Sequence, residues 1–143
     1  MNAPRTLGLI AEECYALALR RAARAVSRRY DEAFSELDLN NGQFSMLALI
    51  EGLGPVRMTT LAERLAMDRT TVTAALKPLV RRGLVEVEVS PSDPRGRDAS
   101  LTKAGRSILA RAIPIWRELQ QAVAANLSTE QSKLLRRALD RVQ

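Results

Sequence analysis

Histidine is absent from this chain of 143 residues, and cysteine occurs once, as Cys14. Without histidine there is no imidazole-based triad, no imidazole general base and no ordinary zinc site. A glycine-rich phosphate loop is also missing. The carboxylate pairs Glu12-Glu13 and Asp31-Glu32 are adjacent on a helix and therefore diverge. The sequence predicts a protein that is not an enzyme, with no cofactor and no bound metal.

Long apolar segments are missing as well. No run of 18 or more apolar residues occurs, so no membrane-spanning segment and no membrane partner are predicted. The N-terminus lacks the compact apolar segment of a signal peptide, and a single cysteine offers no internal disulfide. We therefore expect a cytoplasmic protein.

Aromatic residues make up only 3% of the chain, and the net charge is +6. A basic excess suits a polyanionic partner such as nucleic acid. The excess is concentrated from residue 102 onward, where eight Lys and Arg residues face three acidic ones, whereas residues 41–101 carry eight against seven. Charge alone therefore does not identify a DNA-binding protein.

Residues 7–37 are predicted to form one long helix. One apolar stripe recurs at steps of four and three through Leu19, Ala23, Val26, Tyr30, Ala33 and Leu37. A second stripe runs through Leu7, Ile10, Cys14 and Leu17. A helix with two apolar faces has more apolar surface than one short domain covers, so we expect a second subunit to cover the remainder.

The central part of the chain shows three helix starts. Asn40 opens a capping box, Thr60 and Glu63 are predicted to form another for a short helix, and Asp68 caps the next helix. That helix is predicted to run to Gly83, where a C-terminal glycine belongs. The order is that of a helix-turn-helix.

The periodicity then changes from 3.6 to 2. Val85, Val87 and Val89 alternate with glutamates, which predicts a half-buried strand. Residues 90–98 have the composition of a turn, and residues 99–101 are predicted to complete a hairpin. Two capped helices follow, from Thr102 and from Ser128, and Pro114 predicts a kink in the first of them.

These elements predict a mainly α fold: a winged helix-turn-helix with a small β-hairpin wing, plus long N- and C-terminal dimerisation helices. We expect a dimerisation helix in residues 1–38, the DNA-binding domain in 39–101 and further dimerisation helices in 102–143.

The second helix of the helix-turn-helix is the predicted recognition element. Small hydroxyl and methyl groups let its backbone approach base edges in double-stranded DNA, and Arg and Lys reach guanine or phosphate. Arginines on the hairpin suit the negative potential of a minor groove. The candidate DNA-binding residues are Asp68, Arg69, Thr70, Thr71, Thr73, Ala74, Lys77, Arg95 and Arg97.

The stretch from Thr60 to Gly105 resembles the MarR family of bacterial regulators. The resemblance rests on Leu61-Ala62-Glu63-Arg64-Leu65, on residues 68–73 and 79–85, on the wing Asp93-Pro94-Arg95-Gly96-Arg97 and on Leu101-Thr102-Lys103-Ala104-Gly105. It implies a homodimer, joined through the terminal helices, that represses transcription from a pseudopalindromic operator and leaves it on binding a small, frequently aromatic, acid.

The resemblance also assigns roles to single residues. It places the recognition helix in the major groove and Arg95 in the minor groove, with Asp93 steadying the wing through another arginine. Pro78 departs from the family pattern inside the recognition helix, where it is predicted to bend the helix. Base contact is therefore carried over only as far as Lys77.

An effector pocket is expected where the long helices meet the winged domain. Its candidate walls are Tyr30, Phe44, Met46 and Trp116, with Arg21 or Arg24 as the carboxylate anchor.

Cys14 allows two interpretations. Peroxide-sensing relatives carry a reactive cysteine about two residues away, an offset that rotates the side chain by about 200°. We favour a small apolar residue at the subunit interface over a redox sensor whose thiolate Arg20 or Arg21 stabilises. Two hypotheses from other classes are a helical architectural or interaction module without sequence specificity, and a thiol peroxidase.

Overall fold

The computed structural model describes residues 3–142, and most of them are helical. The helices are α1 (Ala3–Glu13), α2 (Tyr15–Phe34), α3 (Asn41–Leu53), α4 (Met58–Arg64), α5 (Arg69–Arg81), α6 (Lys103–Ala124) and α7 (Thr129–Arg141). The strands are β1 (Val56–Arg57), β2 (Val85–Ser90) and β3 (Asp93–Leu101). No helix within residues 3–142 has the length and apolar character needed to cross a bilayer. The predicted fold class is confirmed.

The prediction of one helix over residues 7–37 is wrong. Cys14 adopts an extended conformation with φ −72° and ψ 106°, which separates α1 from α2. In one straight helix Ile10 and Leu19 would lie on opposite faces, because they are nine residues apart at about 100° each. A break between them lets α1 turn its apolar face in a direction of its own. The side chain of Leu7 lies outside the described part of the structure.

The core forms where α2, α3 and α6 meet the helix-turn-helix. The Phe34 ring lies in contact with Tyr30 at 5.9 Å between centroids and stacks on Phe44 at 4.6 Å, joining α2 to α3. Helices α3, α4 and α5 and strand β3 contribute further side chains to the core that are fully buried: Leu47, Leu61, Val72, Leu79 and Ala99.

Local side-chain bonds start four of the helices as predicted. The Asn40 side chain accepts from the backbone of Gln43 at 2.9 Å, and Gln43 bonds back to the Asn40 N–H at 3.1 Å. Ser128 forms the same capping box before α7. Asp68 and Thr102 cap α5 and α6.

The predicted capping box of Thr60 and Glu63 is wrong. The helix begins at Met58, three residues before the Leu61 that a cap at Thr60 would place first, so Thr60 lies inside its first turn. Arg57 precedes this helix and makes no capping bond. Its guanidinium is bonded to the hairpin instead.

The hairpin is longer than predicted. Strand β3 begins at Asp93, so only Pro91 and Ser92 connect the two strands. Asp93, Arg97 and Asp98 pair with β2 despite the turn-like composition, and the register shifts between Val89 and Ser90, so residues 94–96 bulge without partners on β2. Val87 and Val89 are 37% and 53% exposed. The outer half of the hairpin therefore projects beyond the core as a wing.

A third strand was not predicted. Val56 pairs with Ala99 and Arg57 with Asp98, so the sheet order is β1-β3-β2. Two residues are too few to show a periodicity of 2 in the sequence. This strand forms through hydrogen bonds between its backbone and the free edge of β3.

The start of α6 is packed directly against the loop that ends α5. Gly83 adopts a left-handed conformation, with φ 66°. The Thr102 hydroxyl donates to the Gly83 carbonyl at 2.6 Å and accepts from the Gly105 N–H at 3.0 Å. A Cβ on Gly105 would lie 2.0 Å from the Leu84 carbonyl oxygen. Only glycine allows this approach between α6 and the first strand of the wing.

We expect Gly105→Ala to lower the free energy of unfolding by about 3 kcal/mol, because a methyl group there must push α6 away from a rigid backbone carbonyl. Urea denaturation at one fixed protein concentration measures the effect. Gly8→Ala is the control, because no atom lies within 4 Å of an added Cβ in α1. Equal stability of the two variants would contradict the close contact at Gly105.

Candidate nucleic-acid interface

The exposed face of α5 gathers most of the predicted recognition residues. Their side chains line one shallow groove of about 260 Å³: Arg69, Thr70, Thr73, Ala74 and Lys77. The opposite face carries Val72, Leu76 and Leu79, which are buried. The helix is therefore anchored in the core by one side and presents the other, with its two basic residues, to solvent.

Asp68 and Thr71 bond to each other at the start of α5. The Asp68 carboxylate accepts from the Thr71 hydroxyl at 2.6 Å and from the Thr71 N–H at 2.8 Å. These two bonds, the hydroxyl first, lower the pKa of the Asp68 carboxyl from its ordinary value. The side chains of both residues are therefore bonded within the helix start.

The Thr73 hydroxyl also has a partner within the helix. It donates its proton to the Arg69 carbonyl at 2.8 Å. What Thr73 offers outward is therefore an acceptor lone pair and a methyl group, which suit a base amino group and a thymine methyl respectively.

The wing is held by one guanidinium. Arg57 donates to Asp93 at 3.0 Å, to the Ser90 hydroxyl at 3.0 Å and to the Ser92 hydroxyl at 3.0 Å. Its Nε lies 3.1 Å from the Asp98 carboxylate in an ion pair. The arginine that the family resemblance places beside Asp93 is Arg57.

Gly96 gives this guanidinium its space. A Cβ at Gly96 would lie 2.5 Å from Nη1 of Arg57. On the other side, the backbone N–H of Arg95 donates to Asp93 at 3.0 Å. That bond, and then the bond and charge of Arg57, lower the pKa of the Asp93 carboxyl from its ordinary value. The carboxylate thus ties the wing tip to the strand that carries Arg57.

The two wing arginines differ in their freedom. Arg97 folds back, and its Nη1 donates to the carbonyls of Gly96 at 3.0 Å and Pro94 at 3.3 Å. The exposed side chain of Arg95 has no hydrogen-bond or ion-pair partner within residues 3–142. Arg95 is therefore the guanidinium that is free to reach a ligand.

Sequence reasoning missed Arg57, Ser90, Ser92 and Gly96 as wing-supporting residues. A signal was present, because two serines and two aspartates within nine residues need a donor-rich partner. The identity of that partner depends on the pairing of β1 with β3, which brings residues 36 positions apart into contact.

The predicted effector constellation is not assembled in one place. Phe44 and Trp116 line a groove of about 630 Å³ between α3 and α6. Arg21 and Arg24 line a separate groove of about 690 Å³ along α2. Met46 is buried in the core. The prediction that these side chains form one pocket is wrong, because the arginines lie on another face of α2.

Tyr30 belongs to the core as well, where its ring is buried against Phe34. Burial raises the pKa of its hydroxyl, against the opposing charge of Arg136 on α7. Cys14 is half-buried at the break between α1 and α2. Cys14 therefore lies outside a continuous helix, so the rotation of about 200° that counted against a redox role does not apply to it, and both interpretations of this thiol stay predictions.

The helix α5 with its exposed basic face, the preceding helix α4 and the hairpin held by Arg57 together define a winged helix-turn-helix protein. The sequence model that describes the MarR family matches residues 39–96. The transcriptional regulator HosA of Escherichia coli O111:H- is 32% identical over 97 residues, which cover 68% of this chain and 72% of HosA. The chain belongs to the MarR family of transcriptional regulators.

Solved structures show the same fold over most of the chain. The M. tuberculosis regulator MosR in complex with DNA is 38% identical, with a TM-score of 0.82, and the match covers 91% of this chain and 93% of MosR. A cysteine-to-serine variant of E. coli MarR in complex with operator DNA is 25% identical, with a TM-score of 0.85, and covers 94% and 96%.

We expect Arg57→Lys to loosen the wing, because an ammonium group keeps the charge but lacks the planar fork that bonds several partners at once. Hydrogen exchange of the backbone amides in residues 89–98 should accelerate by about tenfold, because the loss of one charge-assisted hydrogen bond changes the free energy of local opening by about that factor. Arg64→Lys is the matched control, because Arg64 is exposed on α4 and has no hydrogen bond or ion pair with the described residues of the wing. Unchanged exchange in Arg57→Lys would show that the wing is ordered without the guanidinium.

Proposed function

We propose that this protein is a homodimeric transcriptional repressor that binds a pseudopalindromic operator in the cytoplasm and leaves it when a small molecule binds. The observation that carries the proposal is the exposed face of α5 beside a wing whose tip presents the free guanidinium of Arg95. We further propose residues 39–101 as the DNA-binding domain and residues 1–38 and 102–143 as the dimerisation part.

In this proposal α5 enters the major groove. Arg69 and Lys77 supply the positive charge, Thr73 supplies an acceptor and a methyl group, and Ala74 lets the helix approach the base edges. Between the two basic residues this face carries only the small side chains of Thr70, Thr73 and Ala74, which supports close approach. The DNA complexes of the related MosR and MarR support DNA as the partner.

The wing is proposed to enter the adjacent minor groove. Arg95 is exposed, and its backbone is fixed by the bond to Asp93. A fixed backbone lowers the entropy that binding costs, because less freedom remains to be lost. Arg97 is proposed to contribute less, since its guanidinium is bonded to the wing itself.

The terminal helices support a homodimer. No side chain of α7 is buried in the single chain, and Leu134, Leu135 and Val142 are 53%, 48% and 67% exposed. In α1, Leu9 and Ile10 are 46% and 54% exposed. Apolar surface of this extent at both ends of the chain is typical of an interface. We propose that a second copy covers it.

Sedimentation at low micromolar concentration should give about twice 15.8 kDa. Leu135→Glu should shift the equilibrium to monomers, because a charge in an apolar interface stays without a partner. Glu130→Gln is the control, since that side chain lies exposed in the polar first turn of α7. A folded monomeric wild type would remove the geometric basis for recognising a palindrome.

Arg95→Ala should weaken binding to DNA selected from random duplexes by about 1–3 kcal/mol, because a guanidinium leaves the minor groove. Arg97→Ala is the matched variant and should lose less. Fluorescence anisotropy measures both, and circular dichroism verifies the fold.

Lys77→Ala separates this proposal from the architectural alternative. Loss of a phosphate contact should lower the salt slope by about 1 per subunit. Preference for the selected sequence over random DNA should remain in Lys77→Ala. A wild type that binds selected and random DNA equally would contradict a role at an operator.

A further inference from the structure

The groove between α3 and α6 has an apolar floor and aromatic walls. It measures about 630 Å³, enough for a drug-sized molecule. Phe44 and Leu109 close it toward the core, and the half-buried Ala48, Ile113 and Trp116 leave apolar surface open to a ligand. The charged lining residue is Glu51.

The charge of Glu51 has no counterion. Its exposed carboxylate forms no ion pair with any residue from 3 to 142. Glu51 also lies in the last turn of α3, which contains no basic residue. The negative end of the helix dipole therefore adds to the carboxylate instead of opposing it. Both features favour a cation at this end of the groove.

An anionic ligand meets the opposite situation. No Lys or Arg lines the groove, and the arginines expected to anchor a carboxylate, Arg21 and Arg24, line the groove on α2 with Arg28. A carboxylic acid among these apolar walls would give up solvation without gaining a partner and would face Glu51. The lining of the groove therefore disfavours the acid that the family resemblance implies.

We propose that this groove is the effector site and that its ligand is an apolar organic cation, with an aromatic or alkyl body on the walls and its positive charge near Glu51. The inference rests on the proposed release of DNA by a small molecule and specifies the chemistry of that molecule. The faces of Phe44 and Trp116 supply further attraction for a cation.

The position of the groove connects binding to DNA release. Helix α3 contacts α5 and β3, while α6 contacts α2 and continues toward the proposed dimer interface. A ligand between α3 and α6 therefore acts on the joint that sets the recognition helices of the two subunits at their spacing.

Trp116 is the single tryptophan of the chain and reports directly on the groove. The probes are tetraphenylphosphonium and tetraphenylborate, which share size and shape and differ in the sign of their charge. When the full chain is titrated without DNA, the cation should quench the fluorescence of Trp116 until the signal saturates. The protein should bind the cation at least about tenfold more tightly than the anion. Glu51→Gln should weaken cation binding by about fivefold.

Glu36→Gln is the matched control, because it removes an exposed carboxylate outside the groove, and it should bind like wild type. Equal or tighter binding of tetraphenylborate, or an unchanged affinity in Glu51→Gln, would overturn the assignment of charge. Absence of quenching by the cation would show that the groove is closed, as when a second copy covers it, and would overturn the site.

Adding tetraphenylphosphonium to the complex with selected DNA then tests the regulatory role. Release by wild type that Glu51→Gln resists supports the proposal. Binding of the cation without release would overturn its role as effector. Because the titration uses no DNA, failure of the protein to bind an operator is distinguishable from failure of the groove to bind a cation.

Discussion

The contact of Gly105 with the Leu84 carbonyl is the constraint on which the arrangement of this protein depends. It joins the end of the recognition helix, the first strand of the wing and the start of α6 at one point, with the Thr102 hydroxyl bonded to the Gly83 carbonyl beside it. Nothing larger than a hydrogen atom fits between these backbones. The orientation of α5 relative to α6 is therefore set by backbone contact, which is stiffer than contact through side chains.

A second connection ties the recognition helix to the N-terminal helices. The Arg82 guanidinium, just after α5, donates to the carbonyls of Asp38 and Leu37, at the end of the short 3-10 turn that follows α2. Asp38 is left-handed, with φ 50°, which turns its carbonyl out of the helical path. Both terminal parts of the chain thus hold the same end of α5. The helices proposed to form the dimer and the element proposed to read DNA are therefore joined by direct contacts.

The wing depends on a different kind of bond. Its strands project beyond the core, so burial contributes little, and one guanidinium with four polar partners gives it shape. Arg57 is about one-third exposed, so each ion pair is screened by water and is weak by itself. Because all four partners bond to one planar group, forming one of these bonds positions the guanidinium for the others. In this way the backbone of Arg95 gains a defined position at the end of a two-stranded ribbon.

Short-range interactions were determined by the sequence alone. The caps at Asn40, Asp68 and Ser128, the left-handed Gly83 and the apolar face of α5 each depend on residues within one or two helical turns, so pattern and spacing were sufficient to predict them. The helix break, the third strand, the partner of Asp93 and the separation of the arginines from Trp116 were decided by the tertiary structure. Each depends on which distant segments meet, and segments that lie dozens of residues apart leave no periodic signal in the chain.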